Sequence, residues 1–512
     1  MKKLLLFVSL LIFTQISLGQ ENQQPKIGLV LSGGGAKGLA HIGVLKVIDS
    51  LGIKIDYIAG TSMGAVVGGL YASGYSAKQL DSIFSRIDVD ALLQDYTPRG
   101  SKSFYEKRND EIYALTLPFT KFKLGLPSGL SKGLYNFNLL SALTQQVSHI
   151  RDFDKLPIPF LCIATDAETG EKVVLDKGVL AQNMIASGAL PTLYSPVEIN
   201  GRLLIDGGVV DNYPIEELKA RGIDIIIGVD VQDGLKTREE LKGVTSVLSQ
   251  INNFSMIEKM EGKKKATDIY IKPDIKGYSV VDFEKGKEII EKGKEKALEN
   301  IQKLALYENK DQREKGKVVF QDSIYIKDII FNKLDNFTRA YVIGKLKFKK
   351  NTKLSINQFQ KGILNLNATQ NFSAINYSFD KMQDGEKLVL EIKENEIQIF
   401  GGGAHAKGSV DLQDFLALPH GASSFAESLA WVAEVYHAAG KDLNQRGKNL
   451  GVADEGGFWP QFGSNEGAIE ALLKAIEQAG FKPGEQVSIG LDLAATQYHH
   501  EGIYHWRSED RR

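Results

Sequence analysis

Gly60-Thr61-Ser62-Met63-Gly64 is the stretch that decides how the first half of this chain folds. An apolar run from Ile53 to Ala59 precedes it and predicts a buried strand, and a small-residue run from Ala65 to Gly74 follows it and predicts a helix. A serine between two glycines at a strand-to-helix turn can expose its Oγ at the edge of a sheet, where it could act as a nucleophile. The alternative is a glycine turn with an ordinary serine, and the rest of the chain must decide between the two.

The composition is that of a globular protein with several domains. The chain has 512 residues, of which 43% are hydrophobic and 24% charged, and these values argue against disorder throughout. Its 62 basic residues nearly balance its 63 acidic residues, so nothing in the net charge points to nucleic acid as a partner. The sole cysteine, Cys162, lies in an apolar run, which excludes an intramolecular disulfide and predicts a small buried side chain.

The N-terminus predicts export from the cytoplasm. Residues 1–20 combine a charged start, an apolar stretch from Leu4 to Phe13 and a small-residue site from Ser17 to Gln20, which is the pattern of a secretory signal peptide. No cysteine follows the expected cleavage site, so a lipid anchor is not indicated. No later run has the length of a membrane-spanning helix. The mature chain is therefore expected to begin near residue 21.

A glycine loop lies one predicted strand before Ser62. The apolar run Ile27 to Leu31 leads into Ser32-Gly33-Gly34-Gly35-Ala36-Lys37-Gly38, and a helix-like run follows. The glycine spacing fits a dinucleotide-binding fingerprint, with Asp56 at roughly the distance of a ribose-binding acid. The same row of backbone N–H groups could instead stabilise an oxyanion. In a parallel sheet the loop and Ser62 would meet at one edge, as an acyl-transfer site requires.

Histidine is scarce where a serine hydrolase would need it. Before residue 405 the chain holds only His41 and His149, so the order serine, acid, histidine cannot be completed in the usual way. His41 falls within a predicted helix, where an isolated histidine is more often structural. The base is then one of these two histidines or a carboxylate. Asp206, which ends an apolar run and precedes two glycines, is the candidate carboxylate, and a turn-forming Asp-Gly is its alternative interpretation.

Four blocks of the chain resemble those of patatin-like phospholipases in order and spacing. They are the glycine loop, the Gly60 to Gly64 stretch, Ala186-Ser187-Gly188-Ala189-Leu190-Pro191 and Asp206-Gly207-Gly208. The resemblance covers about residues 26–300 and implies a three-layer α/β/α fold with a Ser-Asp dyad. It makes Ser62 the nucleophile and Asp206 the base. It also assigns the oxyanion-stabilising loop to Gly33, Gly34, Gly35 and Lys37.

The resemblance implies a lipid acyl hydrolase of the phospholipase A or lysophospholipase type that needs no cofactor. Asp206 would take the proton of Ser62, the serine oxygen would attack an ester carbonyl, and the glycine N–H groups would hold the oxyanion. A phospholipid or another lipid ester is the expected substrate, and a membrane surface is an expected partner. The aromatic-rich residues 92–140 predict either an amphipathic lid or irregular packing over the sheet. Residues 284–306 predict a solvated closing helix.

A second module is predicted from about Val318 to Glu396. Two strand runs, two helical runs (Thr338 to Lys347 and Ile356 to Asn365) and a hairpin across Asp384-Gly385 make a small α+β unit. The unit is similar to the POTRA domains of outer-membrane patatin-like proteins. This likeness implies a periplasmic or outer-membrane-associated location and a peptide or β-strand partner at an exposed strand edge. A periplasmic nucleotide-binding or scaffold protein acting through this module is the alternative function.

The chain from Gly401 onward resembles a different family. Several blocks in order are similar to the middle of enolase over about residues 401–508. By this resemblance His405 and Glu455 match active-site positions and Asp492 matches a magnesium ligand, while Asp414 stands where that family has a glutamate.

About a hundred residues can supply only two or three of the eight strand-helix units of such a barrel. We therefore expect a truncated enolase-like barrel fragment without enolase activity. The change of family is interpreted as a fusion, natural or arising in sequence assembly, with its seam near Ile397 to Gly402. The sequence thus predicts a signal peptide at 1–20, a patatin-like domain at 21–310, a POTRA-like domain at 318–396 and a partial enolase-like segment at 401–512.

Overall fold

A computed structural model covers the chain, and its contacts divide it into two compact units. The first comprises Met1–Gln94 and Leu139–Phe320, and the second comprises Asp95–Asn138 and Gln321–Arg512. The residues that the structure describes are 25–87, 119–120, 123–124, 129–235, 237–238, 241, 244–309, 322–334, 337–369, 371–394, 400–401, 410, 412–452, 457–493, 499–500 and 503–504. The predicted signal peptide and most of the region predicted as a lid lie outside them, and the predicted domain boundaries stay a prediction.

Among the described residues, the first unit contains an eight-stranded sheet. Its strands are β1 (Ile27–Leu31), β2 (Tyr57–Thr61), β3 (Phe160–Asp166), β4 (Lys172–Leu175), β5 (Val197–Ile199), β6 (Arg202–Asp206), β7 (Ile225–Val229) and β8 (Ile269–Ile271). They are arranged in the order β8-β7-β1-β2-β3-β6-β5, with β4 paired to β3. The run from β8 to β3 is parallel, whereas β4, β5 and β6 join by antiparallel pairs.

The parallel strands are apolar because both faces of the sheet are covered. All residues of β1, β2 and β3 are buried, which is the pattern of strands packed on two sides. Among the described residues between 40 and 304, the α-helices are α1 (Ala40–Leu51), α2 (Met63–Ala72), α3 (Ala77–Phe84), α4 (Leu134–Leu143), α5 (Leu180–Ser187), α6 (Ile215–Ala220), α7 (Val244–Lys265), α8 (Gly286–Glu299) and α9 (Ile301–Leu304). This mixed α/β architecture with a central sheet is consistent with the predicted patatin-like α/β/α domain.

The strand order changes direction at β1, which lies between β7 and β2. In open α/β sheets, ligands bind beyond the carboxyl ends of the strands at such a switch point. The loops that leave β1, β2 and β7 at this edge begin at Ser32, Ser62 and Asp230. The fold therefore brings the glycine loop and the Ser62 turn to one place, as the sequence predicted.

Among its described residues, the second unit contains a four-stranded sheet and a five-stranded sheet. The first sheet has the order β10-β9-β12-β11 and consists of β9 (Ser323–Phe331), β10 (Thr352–Ser355), β11 (Phe372–Met382) and β12 (Gly385–Glu394), accompanied by helices α10 (Arg339–Leu346) and α11 (Ile356–Asn367). The predicted helices and hairpin are confirmed, but the sequence did not predict β10. This strand is four residues long and ends at the Ser355 capping box of α11, so it is too short to show a periodic pattern.

The last described sheet has the order β15-β16-β13-β14-β17. Its strands are β13 (Phe400–Gly401), β14 (Asp414–Leu418), β15 (Asn449–Val452), β16 (Phe458–Pro460) and β17 (Ser488–Asp492), and its helices are α12 (Phe425–Gln445) and α13 (Asn465–Gln478). Only the pair β13–β16 is parallel among these strands, and the other three pairs are antiparallel. Because an enolase-like barrel is mainly parallel and closed, this sheet does not confirm the predicted barrel fragment.

Four two-residue strands form two antiparallel pairs, Phe119–Thr120 with Lys123–Leu124 and His499–His500 with Ile503–Tyr504. Two three-residue strands are also present, at Gly129–Ser131 and Thr192–Tyr194. In the part of the chain that the structure describes, no helix combines the length and the apolar character needed to cross a membrane.

Candidate active site

Ser62 lies in a sharp turn between β2 and α2. Its backbone has φ 55° and ψ −123°, a conformation that non-glycine residues rarely adopt and that costs on the order of 1–3 kcal/mol. The flanking glycines permit the turn, because a Cβ on Gly64 would lie 2.2 Å from the Leu31 carbonyl oxygen and one on Gly60 would lie 2.5 Å from the Gly64 oxygen. The turn thus has the geometry of a nucleophile elbow.

Ser62 donates a hydrogen bond to a buried carboxylate. The distance from its Oγ to Asp206 Oδ2 is 2.6 Å, and Asp206 Oδ1 accepts the backbone N–H of Gly208 at 2.7 Å. Asp206 is the last residue of β6 and lies opposite Ala164 of β3. With 5% of its surface exposed, the carboxylate has a fixed position beside the serine.

The pKa of Asp206 is raised to about 6 because the carboxyl group is buried. The hydrogen bonds from Ser62 and Gly208 favour the ionised form and offset part of this increase. The carboxylate therefore stays ionised at neutral pH but is a stronger base than an exposed aspartate. A general base works best when its pKa lies near the working pH. The arrangement is able to remove the Ser62 proton without a histidine.

Ser187 fixes the backbone of the Ser62 turn with its hydroxyl group. Its Oγ accepts the Ser62 N–H at 3.0 Å and donates to the carbonyl oxygen of Ile163 at 2.5 Å. The residue is the last of α5 and is fully buried. One hydroxyl thus links the strained turn to the central strand β3.

The glycine loop approaches Ser62 closely at Gly33. A Cβ on Gly33 would lie 2.8 Å from the Ser62 Cβ, so only glycine fits. The Gly33 N–H donates to the side-chain oxygen of Asn212 at 3.0 Å. The N–H groups of Gly34 and Gly35 have no hydrogen-bond acceptor among the described residues. These two donors are the ones that the loop leaves available at the site.

Comparison with known protein families assigns the part of the chain that carries these contacts. Residues 29–219 match the family model of the patatin-like phospholipases. The match contains Ser62, Asp206 and the whole glycine loop. The chain carries a patatin-like phospholipase domain. A second match, over residues 389–512, is to the enolase C-terminal TIM barrel domain. Neither match covers residues 318–388, so the POTRA-like prediction has no support from these two matches.

A curated relative extends the similarity of the patatin-like domain. Lysophospholipase NTE1 of Candida glabrata is 33% identical to the chain over 304 residues, which cover 54% of this chain and 16% of that protein. The chain therefore spans a small part of the length of the relative that it matches.

Lys37 lies in the glycine loop of the patatin-like domain and is 1% exposed. Its ammonium group forms an ion pair with Asp233, whose side chain is 44% exposed. A buried ammonium needs such a partner, because desolvation of an unpaired charge costs several kcal/mol. The resemblance placed Lys37 in the oxyanion-stabilising loop, and the structure gives its charge an acidic neighbour there.

The two histidines before residue 405 differ in their surroundings. His41 is fully buried in α1, its Nε2 lies 2.8 Å from the Ser32 carbonyl oxygen, and burial lowers its pKa to about 4. His149 is exposed. The prediction that His41 is structural is confirmed, since its ring bonds to the backbone of the patatin-like domain and Ser62 bonds to Asp206.

Asp56 occupies a position that does not suit nucleotide binding. Its Oδ2 accepts the N–H of Ile27 at 2.9 Å and its Oδ1 pairs with Lys54 at 2.7 Å. Ile27 begins β1, whereas the glycine loop follows the end of the same strand. The interpretation of Asp56 as a ribose-binding acid is therefore wrong, because the residue lies at the opposite edge of the sheet from Gly33.

The enolase-like positions are described only in part. His405 and Glu455 lie outside the described residues. Asp414 and Asp492 lie opposite one another on the neighbouring strands β14 and β17. Asp492 Oδ2 also accepts the Gln413 side-chain amide at 3.4 Å.

Two contributors to the patatin-like site were not predicted from the sequence. Ser187 stood in a block that resembles the family, but nothing in the sequence showed that its hydroxyl would reach Ser62. Asn212 follows the Asp206 turn, and nothing in the sequence indicated its contact with Gly33, because the two residues are 179 positions apart. A polar residue next to a predicted strand end was the only available indication.

Proposed function

We propose that this chain hydrolyses ester bonds of phospholipids or lysophospholipids, with Ser62 as nucleophile and Asp206 as general base. The 2.6 Å hydrogen bond from Ser62 to the buried Asp206 carboxylate carries the proposal. The patatin-like family match and the similarity to a lysophospholipase support the substrate class.

In the first half of the reaction, Asp206 takes the Ser62 proton as Oγ attacks the ester carbonyl carbon. The negative charge that develops on the carbonyl oxygen is stabilised by the N–H groups of Gly34 and Gly35. When the tetrahedral intermediate collapses, the ester C–O bond breaks and Asp206 returns the proton to the leaving alcohol. In the second half, Asp206 takes a proton from water, the hydroxide attacks the acyl-enzyme, and the fatty acid leaves as Ser62 recovers its proton.

A fluorophosphonate probe and lipid product analysis test this proposal. The mature chain, residues 21–512, should be labelled at Ser62 and should release fatty acid from mixed phospholipids. Ser62→Ala should abolish both results. Ser73→Ala is the control, because Ser73 is a buried serine at the end of the same helix α2 and its Oγ donates to the Gly69 carbonyl at 2.7 Å. Equal labelling of wild type and Ser62→Ala would refute the assignment.

We also propose a membrane surface as a partner near the glycine loop. Val280 accepts the Ala36 N–H through its carbonyl at 2.8 Å, and the side chains of Val280 and Val281 are 39% and 42% exposed. Adjacent exposed apolar side chains beside a lipid-cleaving site can insert into the headgroup boundary. Val281→Asp should weaken sedimentation with phosphatidylcholine vesicles, whereas Val174→Asp on β4, 38% exposed, should not. Equal binding by both variants would contradict this surface.

A second candidate function is partner binding through residues 318–396 as a POTRA-like module. Its support is the edge strand β11, which pairs only with β12 among the described residues and is eleven residues long. An extended peptide can add to such an edge. If this scaffold role is the main function, a Ser62→Ala, Asp206→Asn double variant will keep its cellular function.

We propose a periplasmic or outer-membrane-associated location on the strength of the signal-peptide pattern. N-terminal sequencing of the exported protein should find a start near residue 21. We propose further that residues 401–512 have no enolase activity and join the chain by fusion. Genomic DNA sequenced across residues 397–402 should decide between a natural fusion and one made in sequence assembly.

A further inference from the structure

Asn212 holds both polar groups of Gly33, the glycine that lies against Ser62. Its Oδ1 accepts the Gly33 N–H at 3.0 Å, and its Nδ2 donates to the Gly33 carbonyl at 3.3 Å. A Cβ on Gly33 would lie 2.3 Å from Asn212 Oδ1 and 2.8 Å from the Ser62 Cβ. The Gly33 backbone is therefore confined between the asparagine and the nucleophile.

The orientation of the Asn212 amide is set by a chain of hydrogen bonds that ends at a carboxylate. Asn212 Nδ2 donates to Gln232 Oε1 at 3.1 Å, and Gln232 Nε2 donates to Asp230 Oδ1 at 3.1 Å. An ionised carboxylate only accepts, so the Gln232 nitrogen must face Asp230 and its oxygen must face Asn212. The Asn212 oxygen is then left to face the Gly33 N–H.

Asp230, the last acceptor in this row of hydrogen bonds, is held in place by several contacts. It is 4% exposed, accepts the Gln232 backbone N–H at 2.9 Å, and pairs with Lys272 at 2.9 Å. The Tyr270 hydroxyl also donates to it at 2.5 Å. Tyr270 lies in the edge strand β8 and Lys272 directly follows it. The row of hydrogen bonds therefore links the edge of the sheet to the glycine loop.

We propose that Asn212 is a positioning residue of the oxyanion loop, oriented by Gln232 and Asp230. The Asn212 side chain and its backbone carbonyl, 3.4 Å from the Gly33 nitrogen, together occupy the Gly33 N–H and exclude it as an oxyanion donor. The side chain, which also binds the Gly33 carbonyl, fixes the loop so that Gly34 and Gly35 present their N–H groups. This inference rests on the proposed hydrolase function. Asn212 does not touch the reacting atoms, so its loss should act on the transition state through the loop.

The test compares Asn212→Ala and Asn212→Asp in the mature full chain with wild type on a soluble chromogenic ester. We expect kcat to fall on the order of 10- to 100-fold, the loss typical of small displacements in a catalytic site, with little change in KM. Asn212→Asp should be no better than Asn212→Ala, because it sets a second carboxylate oxygen against the Gly33 carbonyl and the Gln232 oxygen. Asn300→Asp is the matched control. Asn300 is equally half-buried and its amide donates to the Lys296 carbonyl at 3.0 Å.

A trifluoromethyl ketone supplies a readout that a merely structural role would not move. Ser62 would add to the ketone carbonyl and create a bound oxyanion. The inhibition constant of the ketone should therefore rise in the Asn212 variants by the same factor by which kcat falls. Binding of the corresponding unreactive alcohol should stay unchanged. Gln232→Leu, which keeps the Gly33–Asn212 contact but removes the orienting partner, should show a smaller loss in the same direction and provides the test if Asn212→Ala does not fold.

Unchanged kcat in the Asn212 and Gln232 variants would overturn the inference, as would a lower kcat with an unchanged ketone inhibition constant. A wild-type chain that hydrolyses no ester and takes up no fluorophosphonate would overturn the proposed function itself. An active wild type with fully active Asn212 variants would overturn the positioning role alone.

Discussion

Ser62 keeps an unfavourable backbone conformation because three of its own polar groups are held by hydrogen bonds. Its N–H bonds to Ser187, its Oγ bonds to Asp206, and its carbonyl oxygen accepts the N–H groups of Ala65 and Val66 at 2.9 Å and 3.1 Å. Strain of this kind persists only where the surroundings over-determine the geometry. The serine therefore presents its Oγ to the carboxylate in one orientation, which is what a dyad without histidine requires.

The first prediction concerns Ser187→Ala. The Ser62 N–H would lose its acceptor, so the turn would sample other conformations, and we expect kcat to fall about tenfold, in the range given by slight misplacement of a nucleophile. KM should stay close to the wild-type value, because Ser187 is fully buried and presents no surface to solvent. The rate of fluorophosphonate labelling should fall in parallel with kcat. Ser73→Ala is again the control, and equal rates for Ser187→Ala and wild type would contradict the positioning role.

The second prediction concerns the pH dependence of hydrolysis. Asp206 must be ionised to accept the Ser62 proton, and burial raises its pKa to about 6. We therefore expect kcat/KM to fall as the pH drops below about 6 and to be level from pH 7 to pH 8. A profile measured on a soluble ester at constant ionic strength checks this. An acidic limb centred near pH 4 would show that the base is an exposed carboxylate instead.

The third prediction uses the same pKa for stability. Because the folded-state pKa of Asp206 lies above its ordinary value of 3.8, the native state binds the proton more tightly than the unfolded chain. The stability that this tighter proton binding gives to the native state is present below pH 3.8 and is lost as the pH rises through about 6. Asp206→Asn removes the buried charge and should raise the free energy of unfolding at pH 7.5 by at most about 3 kcal/mol.

The extra free energy of unfolding of Asp206→Asn should shrink as the pH falls toward 4. Urea unfolding of both proteins at pH 7.5 and at pH 4 measures it. The variant should at the same time lose ester hydrolysis, so higher stability with lower activity is the expected pair of results. Equal stability of the two proteins at pH 7.5 would show that the ionised carboxylate is better solvated than its burial suggests.

At the scale of elements, helix α8 is more than the solvated closing helix that its Lys and Glu content predicted. One face is charged, with ion pairs such as Lys292–Glu295 at 2.8 Å. The other face packs against α1 so closely that a Cβ on Gly293 would lie 1.9 Å from the Ala40 carbonyl oxygen, and one on Gly43 would lie 1.9 Å from the Ile290 oxygen. Two glycines thus let two helix backbones meet.

The fourth prediction follows from this contact. Gly293→Ala should destabilise the first unit by about 1–3 kcal/mol or more, because the new methyl group meets backbone atoms that cannot rotate away. Gly262→Ala in α7 is the matched control, since nothing lies within 4 Å of its Cβ position and it should gain roughly 0.5–1 kcal/mol from its higher helix propensity. Urea unfolding of both variants measures the difference. A Gly293→Ala protein as stable as wild type would mean that the helices separate at little cost.

The elements that the sequence predicted well are those with a strong local pattern. The continuous apolar run of β1, the helical run of α11 and the Asp384-Gly385 turn all depend on neighbouring residues. The α1–α8 contact joins residues about 250 positions apart, and helix periodicity carries no information on such a partner. Polar contacts across the site, such as Asn212 with Gly33, were missed for the same reason.

At the scale of the whole molecule, two segments of one chain match two different family models. Family blocks in the sequence located Ser62 and Asp206, and the structure brings them into contact. The same kind of pattern located the enolase-like segment, yet its described sheet has mostly antiparallel pairs. Sequence likeness identifies a family segment by segment, whereas closure of a barrel depends on strand pairings that no single segment contains.

The last prediction separates the two families by deletion. All contacts described for the Ser62–Asp206 pair, the glycine loop and the hydrogen bonds of Asn212 join residues between Ile27 and Val280, within the first unit. A mature chain that ends at Glu396 should therefore keep kcat/KM on a soluble ester within about threefold of the full chain, as expected for distant, independent parts. The shortened Ser62→Ala protein is the control for background hydrolysis. A loss beyond about tenfold, with the thermal transition of the first unit unchanged, would show instead that the enolase-like segment contributes to the working enzyme.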